Sequence, residues 1–223
     1  MPDESEIYRE RLYENRGLPA LVAMVDPSHK RLLDLGCGNG ANMRLLREKG
    51  HEVTGVTLSE AEVAHCRQDG FESHLADITA PLPFEKESFD GIILCHVLEH
   101  LAWPQQNLQQ MLQYVRPGGG VYIALPNVLF ISQRLQFLFG RFRYAETGIM
   151  DRTHLRFYDF NSAREMLESI GLRIVEHQGD GVLPQPVIRR FLPGLAARLD
   201  RRAAAKFPGI FAINILFSAR RTA

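Results

Sequence analysis

Cysteine and long apolar runs are scarce in this chain of 223 residues, and each scarcity excludes a class of protein. Three cysteines, Cys37, Cys66 and Cys95, are too few and too scattered for a disulfide framework, and no two have the short spacing of a metal-binding pair. They read as reduced thiols. The longest apolar runs, Ile92 to Cys95 and Ile210 to Phe217, fall far short of the roughly 20 residues that a helix needs to cross a bilayer. The opening Met-Pro-Asp-Glu-Ser-Glu has neither the basic residues nor the apolar stretch of a secretory signal, so a cytoplasmic location is expected. Internal repeats and low-complexity tracts are also missing. With 45% hydrophobic residues, the expectation is one domain over residues 1–223.

Net charge is zero but unevenly spread: residues 1–126 hold 11 Lys and Arg against 18 Asp and Glu, and residues 127–223 hold 15 against 8. The basic C-terminal part suits an anionic substrate, a membrane surface or nucleic acid, or is a set of solvated arginines on ordinary helices.

The first half alternates short β-rich runs with helical stretches, the pattern of a parallel sheet with crossover helices. Strands are expected at Arg31–Leu35, Glu52–Val56, Glu72–Ala76, Phe89–Cys95 and Val121–Leu125. Helices are expected at Ala41–Lys49, Ser59–Asp69, where Ser59 and Glu62 form a capping-box arrangement, and about Pro104–Val115. Arg116-Pro-Gly-Gly-Gly120 reads as a turn. Beyond Pro126 the period is lost: residues 127–157 hold six aromatics and five arginines, and the stretch 127–160 reads as a partly helical insertion or lid on the acceptor side. A helix at Ser162–Ser169 and strands at Leu172–His177 and about Phe211–Ala219 then complete a mostly parallel seven-stranded α/β sheet.

The strand ending in Asp34-Leu-Gly-Cys-Gly-Asn-Gly40 opens a helix through a glycine-rich turn, where absent side chains let backbone amides approach a ligand. The spacing is G-x-G-x-G, and a carboxylate at Asp34 is unwelcome beside phosphates, which favours a cationic ligand.

Leu33-Asp-Leu-Gly-Cys-Gly-Asn-Gly40 resembles the first motif of class I S-adenosylmethionine-dependent methyltransferases, and the later signatures follow in order. They are Gly55-Val-Thr-Leu-Ser59, Ala76-Asp-Ile78, Phe89-Asp-Gly-Ile-Ile-Leu-Cys-His96 with Leu98-Glu-His100, and Arg116-Pro-Gly-Gly119. The resemblance covers nearly the whole chain and implies a single Rossmann-like domain with helices on both faces. It implies S-adenosylmethionine as cofactor, held by Asp34, Gly36, Cys37, Gly38, Thr57, Leu58, Asp77, Ile78 and Cys95. By resemblance, Asp34 sits near the aminocarboxypropyl group, Gly36 and Gly38 pass beneath the methionine and adenosine portions, and Asp77 accepts from the adenine amino group. Thr57 departs from the pattern, because the family commonly places Asp or Glu there for the ribose hydroxyls. A similar Thr-Leu-Ser stretch occurs in cyclopropane-forming methyltransferases of lipids.

The methyl group of such a cofactor is already activated, so few catalytic residues are obligatory; a hydroxyl acceptor needs a base, and histidine suits neutral pH. His96 closes the fourth strand, and His154 lies in Asp151-Arg-Thr-His-Leu-Arg-Phe157, a stretch resembling one in bacterial small-molecule and surface-polysaccharide methyltransferases. His154 is the expected base, with His96 second; the alternative for His154 is a bond to a backbone carbonyl that shapes its loop. Arg152 orients an anionic group or pairs with Asp151 or Asp159. His96-x-x-Glu99-His100 is similar to the Glu-x-x-Glu-His of metal-dependent ubiquinone-pathway and small-RNA methyltransferases, but His replaces the first Glu, and no metal is expected.

The resemblance thus implies methyl transfer to an oxygen of a small or lipid-linked metabolite such as a sugar derivative. Carbon or nitrogen methylation and a non-catalytic cofactor-binding regulator are the alternatives. A basic, amphipathic stretch from Arg189 to Lys206 suits peripheral contact with an anionic membrane, and a nucleic-acid partner is not expected, since no RNA-binding module is present.

Overall fold

The computed structural model describes residues 16–181 and 190–222. The opening hexapeptide and Arg189 lie outside the described residues. Seven strands form one sheet in the order β3-β2-β1-β4-β5-β7-β6. They are β1 (Arg31–Leu35), β2 (Glu52–Thr57), β3 (Glu72–Leu75), β4 (Phe89–Cys95), β5 (Val115–Pro126), β6 (Leu172–Asp180) and β7 (Asn214–Arg221). Only β7 runs against its neighbours, pairing antiparallel with both β5 and β6.

Alternation along the central strands loads both faces of the sheet. Leu33, Leu35, Ile92, Leu94, Val121, Ile123 and Leu125 face one core, while Leu32, Ile93, Tyr122 and Ala124 face the other. Helices α1 (Pro19–Ala23), α2 (Ala41–Glu48) and α3 (Glu60–Gln68) cover the second core through Leu21, Met43, Leu46 and Cys66. Helices α4 (Pro104–Met111) and α6 (Phe160–Ser169) cover the first through Leu108, Met111, Ala163 and Leu167. Such two-sided burial makes the strands near-continuous apolar runs, as their sequences read.

Beyond β5, α5 (Ile131–Leu138) lies in the insertion, and α7 (Pro193–Lys206) and α8 (Pro208–Phe211) precede β7. No helix among the described residues is long and apolar enough to cross a membrane.

Of the boundaries that differ from expectation, three have a local cause, while the helix expected from Ser162 begins at Phe160 and the strand expected to end at His177 runs to Asp180. The Arg116–Gly120 stretch is not a turn before the strand but a bulge within it: Phe89 pairs with Val115, and the register then jumps to Gly91 opposite Gly120. The helix from Pro104 stops at Met111, and a 3₁₀ turn carries Leu112–Tyr114 into β5. Phe211 belongs to α8 rather than to the last strand, because Pro208 sits in the first turn of a helix that Ala212 closes.

At the end of the sheet away from the glycine turn, distant residues close a polar network. The Asp26 amide donates to the Tyr122 hydroxyl at 2.9 Å, the hydroxyl meets His29 Nδ1 at 3.0 Å, and Arg220 reaches His29 Nε2 at 2.6 Å and Asp26 at 2.5 Å. Burial, and then the Arg220 guanidinium, push His29 below the ordinary histidine value. The unfolded chain therefore takes up this proton first as the pH falls, and stability present above about pH 6.5 is lost on acidification. Burial pushes His154 and His177 the same way. On acidification from about pH 7.5 to 5.5, His29→Gln should lose less melting temperature, or gain more, than the parent chain; identical slopes in the two proteins would remove His29 from the account.

Candidate functional site

β1 ends in the site because its neighbours hold its last residues in place. The Gly36 and Cys37 amides both donate to the Val56 carbonyl of β2, at 2.8 and 3.0 Å, so the chain turns sharply across the sheet end. Gly36 adopts φ +77°, and a Cβ there would lie 2.6 Å from Val97 Cγ2. Gly40, at φ +75°, caps α2, and a Cβ there would meet the Cys66 sulfur at 2.9 Å. Both positions demand glycine for conformation and for space. Cys37 is buried in the floor beneath this turn, where its thiol and that of Cys66 both donate to the Gly38 carbonyl, at 3.7 and 3.5 Å, and a Cβ on Gly55 would lie 2.8 Å from its sulfur. Its side chain is thus structural, and its backbone is what the turn presents.

Asp34 is the outlier of the region. It is 1% exposed, and neither carboxylate oxygen has a hydrogen-bond partner among the described residues. Burial pushes its carboxyl up to about 7. A carboxylate buried without partners fits a cationic group delivered by a ligand and repels an anionic one.

At the end of β2, Thr57 is buried and donates its hydroxyl to the Glu62 carboxylate at 2.5 Å. Glu62 is itself 4% exposed, and its amide donates to the Ser59 hydroxyl that caps α3. The sequence signal for Glu62 was the capping box; the side chain instead reaches back to the strand end. A carboxylate thus reaches the end of β2 from the first turn of α3. Leu58, beside it, is largely exposed on the rim. Asp77 sits after β3 with Oδ1 accepting from the Thr79 amide and hydroxyl at 2.8 and 2.7 Å, which pins the carboxylate in a turn. Ile78 packs partly against the core below. Cys95 closes β4, its thiol pushed up to about 12 by burial and so neutral.

His96 follows with φ +58°, a left-handed backbone that a non-glycine residue adopts only when its surroundings enforce it. Here its amide is fixed by the Ala124 carbonyl at 3.0 Å. Its Nδ1 stands 3.3 Å from Glu99 Oε1. Glu99 is fully buried, and its other oxygen has no partner among the described residues. The Glu99 carbonyl accepts from Leu155 and Arg156 at 2.8 and 3.0 Å, which docks the Arg-Thr-His-Leu-Arg-Phe stretch onto the Leu98–His100 turn. This brings His154 against His100, ring centroids 4.8 Å apart, and places ligand atoms of Glu99, His100 and His154 within 4.8 Å of one another.

His154 Nδ1 faces the Ile149 carbonyl at 3.0 Å. A proton on Nδ1 makes that bond and leaves Nε2 with its lone pair. Burial lowers the His154 pKa, so the ring stays neutral. Tyr158, buried nearby, has an unpartnered hydroxyl and is pushed up to about 12 by burial and then by the Glu99 charge. No sequence spacing signalled Tyr158. Arg152 pairs with Glu146 at 2.5 Å, not with Asp151 or Asp159, because Asp151 is occupied by Thr153 and Asp159 caps α6.

Residues 7–177 match the family model described as a methyltransferase domain. The chain belongs to that family. As a class I methyltransferase it has S-adenosylmethionine as its cofactor. It is 32% identical over 104 residues to a ubiquinone biosynthesis O-methyltransferase of Pseudomonas entomophila (strain L48), a match covering 44% of this chain and 45% of that one. The chain spans about half the length of the curated relatives it matches. A solved S-adenosylmethionine-dependent methyltransferase from Mesorhizobium loti aligns with TM-score 0.62 over 91% of this chain and 96% of its own, at 24% identity. The 1,6-didemethyltoxoflavin-N1-methyltransferase of Burkholderia thailandensis, solved with 1,6-didemethyltoxoflavin and S-adenosylhomocysteine bound, aligns with TM-score 0.55 over 86% and 71%, at 17% identity. Both likenesses are likenesses of fold.

The orphaned Asp34 carboxylate and the glycine turn fit this cofactor, whose amino and sulfonium groups are cationic. A cation binds only the ionised carboxylate, so methyltransferase affinity for S-adenosylhomocysteine should fall by about tenfold from pH 8 to pH 6. Asp34→Asn should bind weakly at both, as measured by calorimetry; an unchanged pH dependence in that variant would detach Asp34 from the ligand.

Proposed function

We propose that this methyltransferase transfers a methyl group to an oxygen of a small or lipid-linked metabolite such as a sugar derivative. One observation carries the reading: an unpartnered acid near the end of β1 and the imidazoles of His96 and His100 just past the end of β4 lie on adjacent parallel strands that end at one rim, Asp34 pairing in register with Ile93. The cofactor supplies a methyl group on a sulfonium, so the chain must hold the acceptor in line and remove its proton.

In this reading Asp34 and the backbone of Gly36, Cys37 and Gly38 hold the amino-acid end of the cofactor. Thr57 together with Glu62 takes the ribose hydroxyls, Leu58 and Ile78 flank the base, Asp77 takes its amino group, and Cys95 lines the floor. His154 accepts the acceptor's proton through Nε2, and the Glu99 carboxylate stabilises the imidazolium that results. His96 is the second candidate, since it shares Glu99 from the other side. The insertion at 127–160 is the acceptor lid, with Phe142, Tyr144 and Phe157 clustered beside His154. The curated relatives, named as ubiquinone biosynthesis O-methyltransferases, support an oxygen acceptor, and three free thiols suit a cytoplasmic setting.

A second reading rests on the Glu99, His100 and His154 ligand atoms, which are close enough together to share a divalent cation. Chelator separates the two, because turnover that survives it leaves the histidine as base. With acceptors screened by S-adenosylhomocysteine release, His154→Ala should lower turnover by roughly 10²–10⁴-fold while leaving cofactor affinity nearly intact. Equal activity would end the assignment, and mass analysis of the product decides between oxygen, nitrogen and carbon. Cofactor binding without turnover across broad acceptor pools would return the chain to a regulatory role.

A further inference from the structure

The insertion and the helices before β7 meet on one side of the molecule and leave large apolar side chains in water there. Leu138, Phe139 and Phe191 are 76%, 73% and 70% exposed, and Leu135, Leu192 and Phe207 are about half exposed or more. The two segments adjoin: Arg134 donates to the Gly209 carbonyl at 3.2 Å, Asn127 donates to the Ala212 carbonyl at 2.8 Å, and Ile213 packs with Phe130 and Phe137.

The charge around these side chains has one sign. Residues 131–144 carry Arg134, Arg141 and Arg143 with no acid, and residues 190–211 carry Arg190, Arg198, Arg201, Arg202 and Lys206 with one acid. That acid, Asp200, is 6% exposed and sits on the inward face of α7 with Ala196 and Ala204. Helical spacing places Leu195, Arg198, Arg202 and Lys206 on the opposite, outward face. Glu146, just past the first segment, is paired with Arg152.

We propose that this side of the protein rests on an anionic lipid surface, with the leucines and phenylalanines entering the headgroup–acyl boundary and the arginines meeting lipid phosphates. Exposed aliphatic and aromatic side chains beside basic residues that have no acidic partner among the described residues match that interface chemically. A nucleic acid would satisfy the arginines but leave Leu135 and Leu138 in water. The inference goes beyond methyl transfer and holds for a water-soluble acceptor as well as a lipid-linked one.

Sedimentation of the full chain with vesicles tests it. The protein should pellet with vesicles of phosphatidylcholine mixed with phosphatidylglycerol and not with phosphatidylcholine alone, and added salt should weaken binding. The double variants Arg198→Glu with Arg202→Glu, and Leu138→Ser with Phe139→Ser, lie on different elements and should each weaken binding at least about tenfold. Unchanged S-adenosylhomocysteine affinity and melting temperature in both would show that folding and the cofactor site are intact, so this outcome is independent of the methyl-transfer reading. Absence of pelleting, or pelleting indifferent to both variants, overturns the proposal. So does a homodimer in analytical ultracentrifugation that the Leu138→Ser, Phe139→Ser variant dissolves, or tight RNA binding by a chain that ignores vesicles.

Discussion

Asp34 places a carboxylate where the sheet has no water and no donor to give it. Holding its carboxyl near 7 instead of the unfolded value costs the ligand-free fold on the order of 4 kcal/mol above pH 7, and the cost shrinks as the pH falls and the group is protonated. That is a large share of the roughly 5–15 kcal/mol by which a domain is stable. Everything around the residue keeps it there. Leu33 and Leu35 anchor β1 in one core and Leu32 in the other, so the strand cannot turn over to release the acid. The Val56 carbonyl takes the next two amides and steers the chain away before solvent can follow. A site that destabilises the empty protein in this way gains the same free energy back when a cation arrives.

The acceptor side depends on a different kind of constraint. Glu99 serves twice, its carbonyl fixing Leu155 and Arg156 and its carboxylate facing His96. Backbone docking sets where the insertion lies, and the side chain sets the charge that the insertion meets. Any shift of the Leu98–His100 turn therefore moves position and charge together. Among the described residues, one oxygen of Glu99 and the Tyr158 hydroxyl have no partner, so the space around this turn is polar and incompletely bonded.

Reading the sequence recovers the parts of this molecule that are local. The strand cores, the Ser59 cap and the glycine turn are written in adjacent residues, and β1 and β4 fall where the apolar runs place them. The Arg116–Gly120 bulge was read as a turn because proline and glycines mark both, and only the pairing register tells them apart. The closure of Asp26, His29, Tyr122 and Arg220 is invisible in sequence, since its members are separated by up to 194 positions and none forms a motif. Tyr158 is illegible for a related reason: an aromatic before a helix cap looks like core, and its chemistry comes from a neighbour 59 positions away, Glu99.

Thr57 and Glu62 show how a carboxylate can reach a strand end from the following helix. A carboxylate on the strand itself would lie two residues beyond Gly55, the partner of Asp34 in β1, and two buried acids near adjacent strand ends raise each other's cost. Moving the acid to α3 leaves a hydroxyl at the strand end and brings the carboxylate in behind it, where the Thr57 proton already neutralises part of its demand. The Ser59 cap is what makes this reachable, because it fixes the first turn of α3 with Glu62 directed back at the strand. A single residue inserted between Thr57 and Glu62 would rotate the acid by about 100° around the helix and leave Thr57 without it. The spacing of those residues, rather than the identity of position 57, is what brings a carboxylate to the end of β2.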